Sequence, residues 1–256
     1  MSGLMSVTGT PESAPLRVGP PVMDYVTGLY AAFAVMAALA ARDRTAAFQR
    51  IDVVMRDCAF AMMSSVISEH VNTGTIPMPV GNIAASGSPS SGVFATKDGL
   101  LALAANQERQ FHQLCSALGR PDLVSDQRYT EPANRRANAA ALRVELTAVF
   151  AQRAAAEWEE ILMTAGVPAG RVRTIPEAVA EPQTAARGLL HEVLSSELGR
   201  NLSVVGAAFK LNGSPLHSRA APQPVGADSV AILTELGYDA DRVAELARQG
   251  IIASAG

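Results

Sequence analysis

The sequence predicts an α/β protein in two parts, and four stretches carry that prediction. Pro15–Arg42 places a long alanine-rich segment after several prolines and glycines, which predicts one extended helix. Arg50–Val54 has the apolar pattern of a short strand, and Asp57–Ile67 has that of a second helix, so this part resembles a layer of helices over a sheet. Val71–Gly92 is rich in glycine, serine, proline and threonine, and we interpret it as a linker.

The first predicted helix carries one acidic residue, Asp24, near its start. As an N-cap, Asp24 would accept hydrogen bonds from the free N–H groups of the first turn, and the helix dipole would stabilise its charge. Capping alone explains an isolated aspartate there, yet a carboxylate held at a helix start is also a candidate nucleophile. Both interpretations stay open.

The segment Tyr25–Ala41 has about 17 residues without a charge, which is the lower limit for a membrane span. Its apolar content is mostly alanine, so its transfer into lipid would be weakly favourable. We therefore predict a helix buried on most sides of a soluble protein, with a membrane span as the alternative.

The composition argues against several classes of protein. Hydrophobic residues make up 48% and charged residues 18% of the chain, and the net charge of −3 offers no basic field for nucleic acid or a membrane surface. Cys58 and Cys115 lie far apart without metal-ligand spacing, which argues against a disulfide framework and predicts no metal site. The N-terminus lacks the pattern of a signal peptide, so we predict a cytoplasmic protein.

The second part begins at about Val93. Two apolar runs within Val93–Ala105 are joined by Lys97-Asp98-Gly99, which predicts a hairpin because Asp-Gly tolerates positive φ. Asn106 is the predicted cap of a helix over Gln107–Leu118. Further helices are predicted over Asn134–Gln152, Ala155–Ala165, a short stretch from Pro176, Ser229–Leu236 and Ala240–Gln249, with strands in Val167–Ile175, Gly188–Leu194 and Leu202–Leu211.

Five stretches together resemble the family III CoA-transferases of the CaiB/BaiF type, which include formyl-CoA transferase, carnitine CoA-transferase and α-methylacyl-CoA racemase. The resemblance covers only the C-terminal part of that family, and Asp24 lies in its P-x-x-D-x-x-x-G pattern, which ends at Gly28. The five stretches follow the family's order and spacing: Ser2–Ala32, Gln49–Asp57, Gly92–Leu123, Glu157–Val172 and Leu233–Ile252.

The resemblance implies a fold and an assembly. It implies a Rossmann-like large lobe, here partial because the N-terminal half of the family is missing, and a smaller α+β lobe. Residues 1–72 and 189–256 would belong to the large lobe, 73–91 to the linker and 92–188 to the small domain. In this family two chains interlock, so the resemblance implies a homodimer, or a complex with a chain that supplies the missing half.

The resemblance also implies a reaction. Asp24 would be the nucleophile that exchanges CoA between an acyl-CoA thioester and a carboxylic acid through an aspartyl intermediate. CoA is then a substrate, and no tightly bound cofactor is implied. Gly28 would let substrate approach, and Gly87 and Gly92 would give flexibility to Ala85–Gly92, which takes the place of the family's active-site glycine run.

The missing N-terminal half is a departure from the family that leaves alternatives open. The missing half supplies most CoA-binding residues of the family, so this chain is expected to be a split subunit, a shortened gene product or a product with a wrong start. A catalytically inactive fragment or structural subunit is the alternative function. A racemase is disfavoured because its histidine lies in the missing half, and nothing in the sequence lets His70, His191 or His217 replace it.

Overall fold

The protein consists of two compact units, Met1–Val172 and Arg173–Gly256. The computed structural model describes residues 2–84, 86–195, 198–218 and 220–253. Helices and antiparallel sheets alternate along the chain, so the structure is of mixed α and β type. The division into lobes at residues 72, 91 and 188 follows from the resemblance alone and stays a prediction.

The first unit starts with helices. A 3-10 turn at Leu4–Val7 precedes the 24-residue helix α1, Val22–Thr45, and two shorter helices follow, α2 at Met55–Met62 and α3 at Ser64–Thr73. The extended helix predicted from Pro15–Arg42 is confirmed. The single helix predicted over residues 57–67 is in fact two, because Met63 leaves the helical region between α2 and α3.

The strand predicted at Arg50–Val54 is wrong. Val54 has an extended backbone, with φ −107° and ψ 123°, and it precedes α2 as its N-cap. A strand is stable only when a neighbour pairs with its backbone, and no described residue forms a ladder with this segment. Residues 2–73 therefore contain helices and no strand among those that the structure describes.

The predicted burial of α1 is also wrong for this chain. No α1 residue is buried, and α2 packs beside the helix without enclosing it. Within the described ranges, α1 is the one helix long and apolar enough to cross a membrane by length and composition, with a mean hydropathy of 1.6 over its best window. A core helix of a soluble protein passes the same test, so exposure and not composition is the notable property of α1.

An antiparallel sheet of three strands follows the linker, with β1 at Ser91–Ala95, β2 at Leu100–Ala104 and β3 at Ala169–Arg171. The predicted hairpin is confirmed, with Ala95 opposite Leu100. Its turn does not use a positive φ at Gly99. Instead the Thr96 N–H donates to the Gly99 carbonyl at 2.9 Å, and the Asp98 carboxylate accepts from the Ala155 N–H at 2.8 Å.

Helices cover this sheet and build the main core. The helix from Gln107 is confirmed as α4, but its cap is Gln107, which forms a capping box with Gln110 in place of the predicted Asn106. The predicted helix over residues 134–152 is two helices joined at Asn138. The helices of this part are α4 at Glu108–Ala117, α5 at Asp122–Ser125, α6 at Pro132–Ala137, α7 at Ala139–Phe150 and α8 at Ala155–Thr164.

Aromatic side chains fill the centre of the core. The Phe94 and Phe150 rings lie 5.1 Å apart, and the Trp158 ring meets Phe150 edge-on at 5.5 Å. The Trp158 indole N–H donates to the Phe150 carbonyl at 2.9 Å, so its polar atom is satisfied inside the core. All residues of this cluster lie between Phe94 and Val167.

A buried guanidinium, that of Arg135, ties α6 to α4. It donates to the Tyr129 carbonyl at 2.7 Å, pairs with the Glu108 carboxylate, and lies 4.2 Å from the centre of the Phe111 ring. The hydrogen bond from Arg135 is the main reason why the pKa of Glu108 lies below its ordinary value. Glu108 also accepts a hydrogen bond from His112 at 3.1 Å. His112 is exposed, and Glu108 is its partner on the same helix.

The second unit holds short helices and two small sheets. The two-stranded sheets are antiparallel, and the rings of His191 and His217 stack at 4.2 Å. Its elements are α9 at Ile175–Ala180, α10 at Pro182–Arg187, β4 at Leu190–Ser195, β5 at Arg200–Val205, β6 at Lys210–Leu211, β7 at Ser214–Pro215, α11 at Ser229–Glu235 and α12 at Ala240–Arg248. The predicted helices and the strand predicted over Gly188–Leu194 are confirmed. The strand predicted over Leu202–Leu211 is in fact parts of two strands, because β5 ends at Val205 and β6 begins at Lys210 in another sheet.

The Glu108–Arg135 pair predicts an acid-dependent part of the stability. Because the pKa of Glu108 is lower in the folded than in the unfolded chain, its stabilisation is present above about pH 4.5 and is lost as the pH falls through the folded pKa. Between neutral and acid pH, we expect the free energy of unfolding to fall by about 0.5 to 1 kcal/mol less in Glu108→Gln than in the wild type. This is the range for a partly exposed ion pair. Urea unfolding at several pH values measures it, with exposed Glu160→Gln as control, and an unchanged pH dependence in Glu108→Gln would contradict this assignment.

Candidate active site

Two consecutive prolines fix the start of α1 and thereby the position of Asp24. The Val22 N–H donates to the Pro20 carbonyl at 2.8 Å, and the Asp24 N–H donates to the Pro21 carbonyl at 3.1 Å. Pro21 is the N-cap and has no side-chain acceptor, so Asp24 is the third residue of the helix and not its cap. The capping prediction for Asp24 is therefore wrong.

The Asp24 carboxylate is exposed and uncommitted. It accepts no hydrogen bond and forms no ion pair with any residue that the structure describes. The dipole of a 24-residue helix favours a negative charge in this first turn, where backbone N–H groups lack intrahelical acceptors. What remains at this position is a stabilised carboxylate that is available to a ligand.

Asp24 lines an open depression of about 250 Å³. Its walls come from the 3-10 turn, which contributes Leu4 and Met5, and from the approach to α1, which contributes Arg17. Most lining side chains are apolar, and within the described set Arg17 is the cation and Asp24 the carboxylate of this depression. The site therefore presents one positive and one negative group on an apolar wall.

The three candidate glycines occupy different environments. Gly28 lies on α1 one turn after Asp24, and nothing lies within 4 Å of the place where a Cβ would be. Gly87 also faces open space, with φ +67°. Gly92 begins the close approach of β1 to Ile83, has φ +120°, and a Cβ there would overlap the Asn82 carbonyl oxygen. Their predicted roles toward substrate stay predictions, and Ala85 lies outside the described residues.

Other catalytic groups are not brought to Asp24. The depression is lined by no histidine among the residues described. His70 instead contacts the Thr75 carbonyl at 2.8 Å, at the end of α3. No group of three or more potential metal ligands occurs in the described ranges. Among the described residues, Asp24 and Arg17 are therefore the charged side chains of this depression.

Sequence reasoning missed Arg17. A signal for it exists, since Arg17 is the one basic residue before Arg42 and lies seven positions before Asp24. Their separation along the chain does not indicate that Arg17 and Asp24 line the same depression. The bend at Pro20 and Pro21 brings both side chains to the same depression.

Comparison with known proteins identifies the family to which the chain belongs. The sequence profile of CoA-transferase family III matches residues 1–229. The succinate–glutarate CoA-transferase of Agrobacterium fabrum is 32% identical over 240 residues, which are 92% of this chain and 58% of that protein. The acetyl-CoA:oxalate CoA-transferase of Acetobacter aceti is 35% identical over 191 residues, 74% of this chain and 49% of that protein.

A solved structure agrees with the mixed α/β fold. The crystal structure of a CAIB/BAIF family protein from Brucella suis matches with a TM-score of 0.75 and 27% identity, over 92% of this chain and 60% of that one. The chain thus spans about half to three fifths of the length of the proteins that it matches.

Alanine substitutions at Gly28 and Gly92 test the different surroundings of these two glycines. We expect Gly28→Ala to raise the free energy of unfolding by about 0.5 to 1 kcal/mol, because alanine is the better helix former and nothing obstructs its methyl group. Gly92→Ala should lower it by about 2 kcal/mol or more, because of the positive φ and the overlap with Asn82. Chemical denaturation followed by circular dichroism measures both, and equal effects would contradict these environments.

Proposed function

Because the chain belongs to CoA-transferase family III, we propose that it transfers CoA from an acyl-CoA thioester to a free carboxylic acid with Asp24 as the nucleophile. The observation that carries this proposal is the uncommitted Asp24 carboxylate in the first turn of α1. A carboxylate that caps its own helix would already have its acceptor atoms in use. Asp24 has them free, so they are available for attack on a carbonyl carbon.

The proposed reaction conserves the acyl bond energy through two kinds of aspartyl intermediate. Asp24 attacks the thioester carbonyl of the donor and expels CoA thiolate, which leaves a mixed anhydride. The thiolate then attacks the Asp24 carbonyl carbon, releases the donor acid and forms an aspartyl-CoA thioester. An acceptor carboxylate attacks the Asp24 carbonyl carbon and expels the thiolate, which forms a second anhydride. The thiolate then attacks the acceptor carbonyl to give the new acyl-CoA and the Asp24 carboxylate, which now carries one oxygen from the acceptor.

We propose a short dicarboxylate as the acceptor. The two relatives described above are named for succinate and glutarate and for oxalate, which all carry two carboxylates. Coenzyme A enters as a substrate, and no tightly bound cofactor takes part in the proposal.

The proposed enzyme needs a further polypeptide to complete its site. The chain spans about half to three fifths of its relatives, and α1 exposes an apolar stripe formed by Tyr25, Leu29, Phe33 and Met36. These side chains are 65, 71, 73 and 65% exposed, at the spacing of one helix face. Such a face is typical of an interface, so we propose that a homodimer mate or a chain carrying the remaining half covers it.

The same companion would complete the partial Rossmann-like lobe, with residues 1–72 and 189–256 in the large lobe and 92–188 in the small one. A cytoplasmic location is part of the proposal, with neither a nucleic-acid partner nor a membrane span.

A structural subunit without activity is the second candidate, and the exposed stripe favours it equally. A racemase is not proposed, because both relatives described above are named as CoA-transferases.

Trapping of the intermediate tests the nucleophile. We expect that incubation with an acyl-CoA and hydroxylamine converts the Asp24 carboxyl group to a hydroxamate, because anhydride and thioester carbonyls react with this amine. Peptide mass spectrometry locates the modification, in the chain alone and in the chain coexpressed with the first half of the Agrobacterium relative.

The matched control for trapping is Asp57, which lies in the first turn of α2 and is also exposed. Asp24→Asn should abolish the modification, and Asp57→Asn should leave it unchanged. If the coexpressed complex binds acyl-CoA and Asp24 stays unmodified, the transferase proposal fails and the structural-subunit alternative is supported.

A charge on the α1 stripe tests the proposed association. We expect Phe33→Glu to prevent association with a companion chain, since burial of an unpaired carboxylate opposes complex formation. The particle mass from light scattering after size-exclusion chromatography measures it. Val144→Glu is the control because Val144 is 70% exposed on α7, away from α1. Equal association of wild type and Phe33→Glu would show that the stripe is not the interface.

A further inference from the structure

The Asp24 depression holds a second charged residue, Arg17. Both side chains line it, together with Leu4, Met5 and the two prolines before α1. No ion pair joins Arg17 to Asp24, although both are exposed and of opposite charge. The two charged groups therefore do not pair with each other, and each is available to a ligand.

Arg17 has no hydrogen-bond or ion-pair partner among the described residues, a property that it shares with Arg50. Arg120 donates to Asp122 and Glu145, and Arg135 donates to Glu108. These guanidinium groups stabilise the fold by fixed contacts. Arg17 has no such structural task, so its five N–H donors are free to bind an anion.

We propose that Arg17 binds the remote carboxylate of a short dicarboxylate acceptor while the other carboxylate reacts at Asp24. This inference rests on the proposed transferase function. A planar guanidinium matches a carboxylate by two parallel hydrogen bonds, which fixes the orientation of the acid as well as its position. The bond balances a negative charge brought beside Asp24, and it selects dicarboxylates over monocarboxylates of equal length.

The dimensions favour this anion over a phosphate of CoA. Arg17 and Asp24 line the same depression of about 250 Å³, and the carboxyl carbons of a four- or five-carbon dicarboxylate lie about 4 to 5 Å apart. The pantetheine arm of CoA separates the thioester sulfur from the nearest phosphate by roughly 15 Å when extended. A thioester at Asp24 therefore leaves its phosphates well outside the reach of Arg17.

Binding to the intact chain tests the inference without requiring turnover. In nuclear magnetic resonance titrations, we expect glutarate to shift the Arg17 Nε signal and the Met23 amide signal at about tenfold lower concentration than pentanoate does. Arg17→Gln should abolish the difference at Met23. Arg50→Gln is the control, because Arg50 is also exposed and without a partner in the described ranges. An equal response to both acids, or none at Arg17, would overturn the inference.

Turnover by the complex gives the second readout. With acetyl-CoA as donor, we expect the ratio of kcat/KM for glutarate to that for pentanoate to fall about tenfold in Arg17→Gln, and by less in Arg17→Lys. An unchanged ratio would overturn the inference while leaving Asp24 as nucleophile. Absence of Asp24 modification by acetyl-CoA, with the glutarate-dependent shift at Arg17 still present, would instead overturn the proposed function and leave a dicarboxylate-binding site.

Discussion

The position of the hydrophobic core determines the rest of the first unit. Its aromatic cluster, Phe94, Phe150 and Trp158, lies wholly within the part of the chain that follows the linker. That core holds the three-stranded sheet and α4 to α8 together, but it does not include α1. The longest helix of the chain therefore keeps an apolar face uncovered, and the candidate active site lies at the start of this helix.

The backbone geometry at the start of α1 explains why the Asp24 carboxylate is available to react. Pro20 and Pro21 turn the chain into the helix without using a side chain as a cap. Asp24 is thereby left in the first turn with its oxygens free, close to the positive end of the helix dipole. Arg17, which precedes this turn, lines the same depression as Asp24. One backbone bend thus creates both charged groups of the candidate site.

Much of the fold follows from local pattern. The hairpin, α4, α8 and the terminal helices were predictable because apolar spacing and breakers agree there. Asn106 was mistaken for a cap because capping depends on the φ and ψ of one residue, which composition does not reveal. The strand at Arg50–Val54 and the burial of α1 could not be predicted, since pairing and covering depend on other chain segments. Arg17 was missed because its proximity to Asp24 needs the actual bend.

The central claim is that Asp24 exchanges its own carboxylate oxygen during transfer. A single turnover with an acceptor whose carboxylate carries a heavy oxygen isotope tests it most directly. The account predicts one labelled oxygen in the peptide that contains Asp24, because the anhydride oxygen donated by the acceptor stays on the aspartate when the thiolate attacks the acceptor carbonyl. Formation of the product acyl-CoA with no label in Asp24 would contradict the account.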